Sequence, residues 1–258
     1  MTAPRPLIAI PEPTSTDQAY NRRSLPQYIR SVEAAGGIGV PIPLDAPASQ
    51  QEVLLLSCAA ILLPGSPADL DPARYGQERR EETAAKDSPR EAADDLLLHD
   101  AFTQSKPILG ICYGLQSLNV WSGGTLIQHV PFANGSVVDH APGRTVERAH
   151  PLQVVPGSRL SSILRARELE GGELEGGGKD LFVNSSHHQA IAKPGNLLNM
   201  AGTSPADGII EALEGVDSGQ FVLGVQWHPE RTYESSSASR ALFAAFLEAA
   251  RLWKPCTL

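Results

Sequence analysis

The fold is decided by the stretch Pro107-Ile108-Leu109-Gly110-Ile111-Cys112-Tyr113-Gly114-Leu115-Gln116-Ser117-Leu118-Asn119-Val120. Its opening apolar run predicts a buried strand, and the apolar residues after Gly114 have a helical spacing. The two parts are joined by Gly-x-Cys-x-Gly. A strand that turns directly into a helix needs small residues beside the turn, because the backbone there is crowded. The pattern therefore predicts a strand, a sharp turn with Cys112 at its apex, and a helix.

Cys112 is interpreted as a nucleophile. At a helix N-terminus the helix dipole and the free N–H groups favour negative charge, so we expect the pKa of the Cys112 thiol to be lowered. The alternative is a buried structural cysteine in an α/β core, since free cysteine is among the most buried residue types. The two flanking glycines, together with the partner residues described below, favour the nucleophile.

The composition is that of an ordinary globular protein. The chain has 258 residues, with 21 Lys and Arg against 29 Asp and Glu, which gives a net charge of −8. This acidic balance argues against a nucleic-acid-binding surface. The length suits one large α/β domain or two small ones. Because neither an internal repeat nor a domain boundary is visible, we predict a single domain over 1–258, with an ordered core over about 7–250 and a tail at 254–258.

Cysteine usage and hydropathy predict a cytoplasmic protein. The three cysteines are widely spaced, which indicates neither a disulfide framework nor a metal cluster and favours a reducing compartment. We interpret Cys58 as a core residue and Cys256 as part of a frayed tail. The N-terminus lacks the pattern of a secretory signal, and no run approaches the roughly 18 to 20 apolar residues of a membrane span.

Strand and helix patterns alternate along the chain. Predicted strands lie at 7–10, 38–42, 59–63, 107–111, 182–183 and 220–226, with strand pairs within 146–155 and 197–213. Predicted helices lie at 25–35, 49–57, 91–104, 113–122, 158–164 and 238–253. Residues 131–149 are interpreted as irregular, and the glycine-rich stretch 171–178 as a loop that is not a phosphate-binding loop. Strand, helix and strand with short connections form a βαβ unit, which predicts a parallel sheet.

A turn rich in glycine and proline follows the third predicted strand. It reads Pro64-Gly65-Ser66-Pro67-Ala68-Asp69. The C-terminal end of a strand is where α/β folds place binding groups, so this turn is a candidate part of a site. The alternative is a tight surface turn without a function.

The triplet His228-Pro229-Glu230 provides the partners that a cysteine nucleophile needs. Pro229 restrains His228 to an extended conformation, in which residues two apart point the same way. The Glu230 carboxylate can therefore approach the His228 imidazole and fix its tautomer, which leaves the other ring nitrogen for Cys112. The alternative is a histidine at a strand end whose hydrogen bonds go to the backbone. The triplet at the end of an apolar strand favours the catalytic interpretation.

The stretches 110–116 and 226–230 together resemble the class I glutamine amidotransferase domain. Further stretches, at 63–67, 123–129 and 184–191 with Pro72 and Tyr75, resemble its gamma-glutamyl-gamma-aminobutyrate hydrolase branch. The resemblance covers the chain from Leu7 to about Leu247. It implies a flavodoxin-like α/β fold, a three-layer α/β/α sandwich with a mostly parallel central sheet and a small antiparallel extension.

The resemblance also implies the catalytic roles. Cys112 is the nucleophile, His228 is the acid and base, and Glu230 orients His228. The N–H groups of Gly65 and Tyr113 form the oxyanion hole. Two positions depart from the branch pattern, because Tyr113 stands where the branch often has arginine and Ser66 stands where it has a second glycine.

The same resemblance assigns the substrate pocket. Gln116 contacts the glutamyl group, and Ser186 and His187 line the same pocket, largely through main-chain groups. The adjacent His187 and His188 could instead indicate a metal site. With no carboxylate or cysteine cluster beside them in the sequence, we prefer the pocket wall. We expect neither a metal nor an organic cofactor.

The sequence thus predicts a cysteine-dependent hydrolase of gamma-glutamyl amides, such as gamma-glutamyl-GABA or a related gamma-glutamyl amine, with a place in polyamine catabolism. It would release glutamate through a glutamyl thioester. Three alternatives stay open: a glutaminase subunit that delivers ammonia to a synthase, a hydrolase of another gamma-glutamyl substrate, and a catalytically idle binding protein. We expect a small-molecule substrate, no nucleic acid, no membrane and no synthase partner, and leave a homodimer open.

Overall fold

Strands and helices alternate through the first half of the chain. The structure, a computed structural model, describes residues 4–130, 138–169 and 181–255. The first elements are β1 Leu7–Pro11, α1 Gln18–Ala34, β2 Ile38–Ile42, α2 Ala48–Leu56, β3 Ala60–Leu63, a 3-10 helix Pro72–Tyr75, α3 Ser88–Thr103, β4 Ile108–Ile111 and α4 Tyr113–Trp121. The predictions made for 131–137, for 171–178 and for Cys256 lie outside the described residues.

The second half contains mostly strands. Its elements are β5 Thr125–Ile127, β6 His150–Val154, α5 Arg159–Leu169, β7 Leu181–Val183, β8 Ala190–Lys193, β9 Leu198–Thr203, β10 Ile210–Gly215, β11 Val222–Val225 and α6 Ser237–Leu252. Among the helices of the described ranges, none is both long enough and apolar enough to cross a membrane.

The strands form one mixed sheet. Its order is β2-β1-β3-β4-β11-β10-β9-β6-β7, with β8 paired to β10 and β5 paired to β8. The first five strands in this order pair in parallel, and the remaining pairs are antiparallel. The predicted flavodoxin-like arrangement and its antiparallel extension are therefore confirmed. The division of the chain into a single domain stays a prediction.

The helices cover both faces of the sheet. Along β1, Ile8 and Ile10 pack in one apolar cluster while Ala9 packs in another. The first cluster includes residues of α1, α5 and α6, and the second includes residues of α2, α3 and α4. Because neighbouring side chains of a strand point to opposite faces, a strand that is apolar throughout needs cover on both sides. This arrangement is the predicted three-layer sandwich.

Several element boundaries differ from the sequence-based predictions. Helix α1 begins at Gln18 rather than at residue 25, because the Asp17 side chain caps it by accepting the Tyr20 N–H at 2.9 Å. Helix α5 continues to Leu169, and a single strand replaces the pair predicted within 146–155. Strands β5 and β8 were not predicted, since each is too short to show an alternating pattern.

The centre of the sheet positions the candidate site. Strands β4 and β11 pair in parallel, with Ile108 opposite Val222 and Ile111 opposite Val225. The C-terminal ends of parallel strands lie at the same edge of a sheet. The chain that follows β4 begins with Cys112, and the chain that follows β11 leads to His228. Strand β3, on the other side of β4, brings the turn at Gly65 to this edge.

Candidate active site

Cys112 lies at the apex of a strained turn between β4 and α4. Its backbone has φ +54° and ψ −107°, a region that non-glycine residues seldom occupy. The flanking glycines are required by close backbone contacts. A Cβ at Gly110 would lie 2.8 Å from the Gly114 carbonyl oxygen, and a Cβ at Gly114 would lie 2.1 Å from the Leu63 carbonyl oxygen. The Gly-x-Cys-x-Gly pattern thus has a steric cause.

His228 and Glu230 form a buried hydrogen-bonded pair. The His228 Nδ1 lies 2.8 Å from Glu230 Oε1, and both side chains are almost fully buried. A carboxylate accepts, so Nδ1 carries the hydrogen and the neutral ring presents Nε2 as an acceptor. The Asn184 amide clamps the His228 backbone, because it accepts from the N–H at 2.8 Å and donates to the carbonyl at 2.8 Å. The tautomer and the position of His228 are therefore both fixed.

Gly65 stands between the candidate nucleophile and the candidate base. A Cβ added at Gly65 would lie 3.0 Å from His228 Cε1 and 3.6 Å from Cys112 Cβ. The structure thus brings together the turns that follow β3, β4 and β11. Two further side chains are hydrogen-bonded to the reactive atoms in this state. Arg231 Nη2 donates to His228 Nε2 at 3.0 Å, and Gln226 Nε2 donates to Cys112 Sγ at 3.5 Å.

Both N–H groups assigned to the oxyanion hole have partners in this state. The Gly65 N–H donates to the Tyr28 hydroxyl at 3.0 Å, and the Tyr113 N–H is hydrogen-bonded to the Cys112 thiol. The Tyr113 side chain is only 1% exposed, and its ring lies 4.8 Å below the Arg90 guanidinium. The tyrosine that departs from the branch pattern therefore packs its side chain in the interior.

A cleft of about 240 Å³ opens above Cys112. It is lined by Ser66, Pro67, Ala68, Asp69, Cys112, Tyr113, Gln116, Ala141, Ser186, His187, His188 and Gln189. All three residues that we assigned to the substrate pocket belong to this lining. Gln116 Nε2 donates to the Gln189 carbonyl at 3.1 Å and to Gln226 Oε1 at 3.2 Å, so Gln226 connects Gln116 with Cys112.

The expected lowering of the Cys112 pKa is wrong. Burial raises the pKa of this thiol to about 12, and the negative charges of Glu230 and Glu211 raise it further. Arg231 and the Tyr113 N–H act in the opposite direction, but desolvation outweighs them. Burial also lowers the pKa of His228 below its ordinary value, against the effect of Glu230. The free site therefore pairs a protonated thiol with a neutral imidazole.

Three residues near the reactive atoms were not singled out from the sequence: Tyr28, Gln226 and Arg231. Gln226 is two residues before His228 on an extended segment, so the spacing alone predicted that the two side chains point the same way. Arg231 directly follows the His-Pro-Glu triplet. Tyr28 gave no local signal, because it lies on α1 and reaches Gly65 only through the fold.

A second group of buried polar side chains lies beside the cleft. His187, which lines the cleft, meets His140, His150 and Glu211, and ligand atoms of the four residues lie within 4.8 Å of one another. His188 does not join them, because its Nε2 lies 3.1 Å from Asp69 Oδ1. The adjacent residues His187 and His188 therefore contact different partners. The residues grouped with His187 come from distant parts of the chain.

Comparison with known proteins gives consistent results. Residues 6–230 match the family model of peptidase C26. The chain is 36% identical over 220 residues to the "Putative glutamine amidotransferase Rv2859c" of Mycobacterium tuberculosis, covering 84% of this chain and 66% of that relative. It is 32% identical over 230 residues to the gamma-glutamyl-gamma-aminobutyrate hydrolase PuuD of Escherichia coli, covering 86% of this chain and 84% of PuuD.

A solved structure supports the same fold. The crystal structure of a "putative gmp synthase subunit a protein" from Thermoplasma acidophilum superimposes with a TM-score of 0.62 and covers 96% of each chain. The sequence identity is 14%, so this likeness concerns the fold alone.

Proposed function

The chain belongs to the peptidase C26 family of class I glutamine amidotransferase-like hydrolases, and from this membership we propose that it is a cysteine-dependent hydrolase of gamma-glutamyl amides. The proposed substrate is gamma-glutamyl-gamma-aminobutyrate or a related gamma-glutamyl amine. The products are the free amine and glutamate. The observation that carries the proposal is that Gly65 and the buried His228–Glu230 pair lie beside Cys112, and that Cys112 lines an open cleft.

The first step forms a glutamyl thioester. His228 Nε2 takes the proton of Cys112 while Sγ attacks the gamma-carbonyl carbon, and the carbonyl oxygen becomes an oxyanion. The N–H groups of Gly65 and Tyr113 stabilise that oxyanion, each by about 3 kcal/mol. His228 then gives the proton to the leaving nitrogen, the C–N bond breaks and the amine departs.

The second step hydrolyses the thioester. A water molecule loses a proton to His228 Nε2 and attacks the same carbon. The tetrahedral intermediate expels Cys112 Sγ, which regains the proton, and glutamate leaves. Glu230 stabilises the imidazolium in both steps through its hydrogen bond to Nδ1.

Substrate binding has to rearrange three contacts of the free site. Arg231 Nη2 must leave His228 Nε2, so that this nitrogen can accept the thiol proton. The substrate oxygen must replace Tyr28 as the acceptor of the Gly65 N–H, and it must compete with Cys112 for the Tyr113 N–H. Because catalytic hydrogen bonds often form only in the enzyme–substrate complex, these contacts are compatible with the proposed roles.

The proposal includes the setting of the enzyme. We propose that it acts on a small molecule without a synthase partner, that it is cytoplasmic, and that it contributes to polyamine catabolism when the amine derives from a polyamine. Nucleic acid and membrane surfaces are not part of this function. A homodimer is compatible with it.

The decisive experiment measures glutamate released from a panel of gamma-glutamyl amides by the purified chain alone. The panel includes gamma-glutamyl-gamma-aminobutyrate, gamma-glutamyl polyamines, gamma-glutamyl peptides and glutamine. Cys112→Ala is expected to reduce the best activity by at least about 10⁴-fold, because the covalent route is lost. The matched control is Cys58→Ala, which removes a buried cysteine outside the cleft and should keep the activity.

The outcomes separate the alternatives. Full activity of Cys112→Ala contradicts the mechanism. Glutamine hydrolysis that appears only with a synthase favours an ammonia-delivering subunit. A chain that releases no glutamate, and whose Cys112 does not react with a thiol-directed glutamine analogue, is a binding protein rather than an enzyme.

A further inference from the structure

We propose that the chain holds a structural divalent metal ion of the zinc class on His140, His150, His187 and Glu211. The four side chains come from separate segments: the loop before β6, the start of β6, the loop after β7, and β10. Each is at most 6% exposed. This site is distinct from the proposed Cys112–His228–Glu230 triad and does not depend on the proposed activity.

In each of these three histidines, the ring nitrogen that faces away from Glu211, here called the outer nitrogen, is hydrogen-bonded to an oxygen. The ring nitrogen that faces Glu211 is called the inner nitrogen. The pairs are His140 Nε2 with Asp207 Oδ2 at 2.8 Å, His150 Nδ1 with the Pro151 carbonyl at 3.1 Å, and His187 Nδ1 with the Gln189 carbonyl at 2.9 Å. A carboxylate or carbonyl oxygen accepts, so the outer nitrogen carries the hydrogen. The inner nitrogen of a neutral ring then has a lone pair to offer, as in metal sites whose histidines are oriented by carboxylates and carbonyls. His140 Nδ1 also lies 3.5 Å from the Ser185 hydroxyl, which donates its hydrogen to the His140 carbonyl at 2.8 Å.

The inner nitrogens converge on one carboxylate oxygen. Glu211 Oε1 lies 3.4 Å from His140 Nδ1, 3.5 Å from His150 Nε2 and 3.6 Å from His187 Nε2. Both Glu211 oxygens and two of these nitrogens are buried without a hydrogen-bond partner. Three lone pairs and a carboxylate that face one another repel unless a cation or protons lie between them, and buried polar atoms without partners are costly.

The spacing fits a tetrahedral ion. Bonds of about 2.0 to 2.1 Å to a tetrahedral zinc place neighbouring ligand atoms about 3.3 to 3.4 Å apart. The three distances from Glu211 Oε1 are close to this value. The ligand atoms lie within 4.8 Å of one another, so the widest pair would have to move closer together to bind one ion. Three imidazoles and one carboxylate suit zinc better than calcium or magnesium, which prefer oxygen ligands. Four protein ligands in a closed site indicate a structural ion.

The cluster is connected to the cleft through one carbonyl group. The Gln189 carbonyl accepts from His187 Nδ1 at 2.9 Å and from Gln116 Nε2 at 3.1 Å. His187 and Gln189 both line the cleft. An ion on His187 would therefore hold the wall that positions Gln116, the residue assigned to the glutamyl group. Loss of the ion should weaken the fold and the substrate affinity more than the chemical step.

The first test measures metal directly. The full chain is produced without a metal-affinity tag in zinc-supplemented medium, and its metal content is measured by mass spectrometry. We expect about one zinc per chain, a fall of the melting temperature after removal by a strong chelator, and its return with zinc. Cobalt added to the metal-free chain should give the intense visible absorption of a tetrahedral site with nitrogen and oxygen ligands.

Variants locate the ion. Glu211→Gln keeps the shape of the side chain and removes its charge, so the zinc content should fall at least tenfold. His99→Gln, an exposed histidine of α3, is the matched control and should keep one zinc. If Glu211→Gln does not fold, the cobalt spectrum of the unaltered chain decides whether a tetrahedral metal site is present. Absence of zinc and cobalt binding in that chain, or equal metal content in both variants, overturns the proposal; protons then fill the cluster.

Discussion

Cys112 is subject to two opposing electrostatic effects. The helix N-terminus and Arg231 favour its thiolate, whereas burial and two carboxylates favour the thiol, and the second group prevails. The consequence for mechanism is that the nucleophile forms at the moment of attack, by proton transfer to His228. A protonated resting thiol also reacts slowly with oxidants and alkylating agents, because the thiolate is the reactive form.

This protonation state can be measured by alkylation. In a Cys58→Ala, Cys256→Ser background, the rate constant for Cys112 with iodoacetamide should rise about tenfold for each pH unit from pH 7 to pH 9, because the thiolate fraction rises in that proportion below the pKa. The reaction is followed by the mass of the adduct, with a free thiol of ordinary pKa as the control. A rate that levels off below pH 8 would show a lowered pKa and contradict this expectation.

At the scale of single residues, the sequence predicts most of the candidate site. The two-residue spacing of His228 and Glu230 on an extended segment led to their hydrogen bond, which the structure contains. Tyr28 and the cluster around Glu211 could not be predicted, because each meets its partners only through the tertiary fold. The sign of the Cys112 pKa shift also depended on burial, which a local pattern does not report.

At the scale of elements, the turn between β4 and α4 depends on two glycines for different contacts. Gly110 faces the first turn of α4, and Gly114 faces the end of β3. Strand β3, strand β4 and helix α4 therefore meet at van der Waals distance around Cys112. This close packing explains why a short motif can place the nucleophile, the helix N-terminus and the Gly65 turn in one arrangement.

A methyl group at Gly114 should break this arrangement. In Gly114→Ala the new Cβ would lie 2.1 Å from the Leu63 carbonyl oxygen, and a backbone atom cannot move aside as a side chain can. We expect the free energy of unfolding in urea to fall by more than about 3 kcal/mol, or the chain to fail to fold. Gly219→Ala is the control, because its Cβ meets only the Asp217 side chain. Equal free energies of unfolding for Gly114→Ala and Gly219→Ala would show that β3 and α4 can move apart at little cost.

The elements themselves were predictable where their patterns were long. The βαβ order of the first half follows from apolar runs with short connections, and β2 has the predicted bounds. Strands β5 and β8 have three and four residues, and they are stabilised by pairing with each other and with β10 rather than by a pattern of their own. Their register is a property of the tertiary structure.

At the scale of the whole molecule, one buried arginine joins four segments. Arg90 is fully buried on α3 and pairs with Asp94 at 2.8 Å. It also donates to the carbonyl groups of Pro13 at 2.8 Å and Pro64 at 2.6 Å, and its guanidinium covers the Tyr113 ring. Arg90 thus attaches the segments after β1 and β3 to α3 and α4. Its contact with the segment after β3 is at Pro64, the residue before Gly65.

Removal of this arginine should destabilise the entire fold. Arg90→Leu leaves the Asp94 carboxylate buried without its cation, and the Pro13 and Pro64 carbonyls without their donor. The free energy of unfolding should therefore fall by about 3 to 5 kcal/mol. The double variant with Asp94→Leu should recover part of this loss. Arg22→Leu, on the exposed side of α1, is the control. A loss below about 1 kcal/mol in urea unfolding for Arg90→Leu would contradict the role.

The position of β11 has a consequence for how the protein is made. The last of the described strands in sequence order occupies the middle of the sheet, between β4 and β10, so ribosomal synthesis delivers this central strand after both of its neighbours. Until then β4 presents an open edge that can pair with other chains. A released chain that stops at residue 219 should therefore remain sensitive to protease, whereas the chain of 258 residues should be resistant. Resistance of the shortened chain would mean that the parallel half folds without its central neighbour.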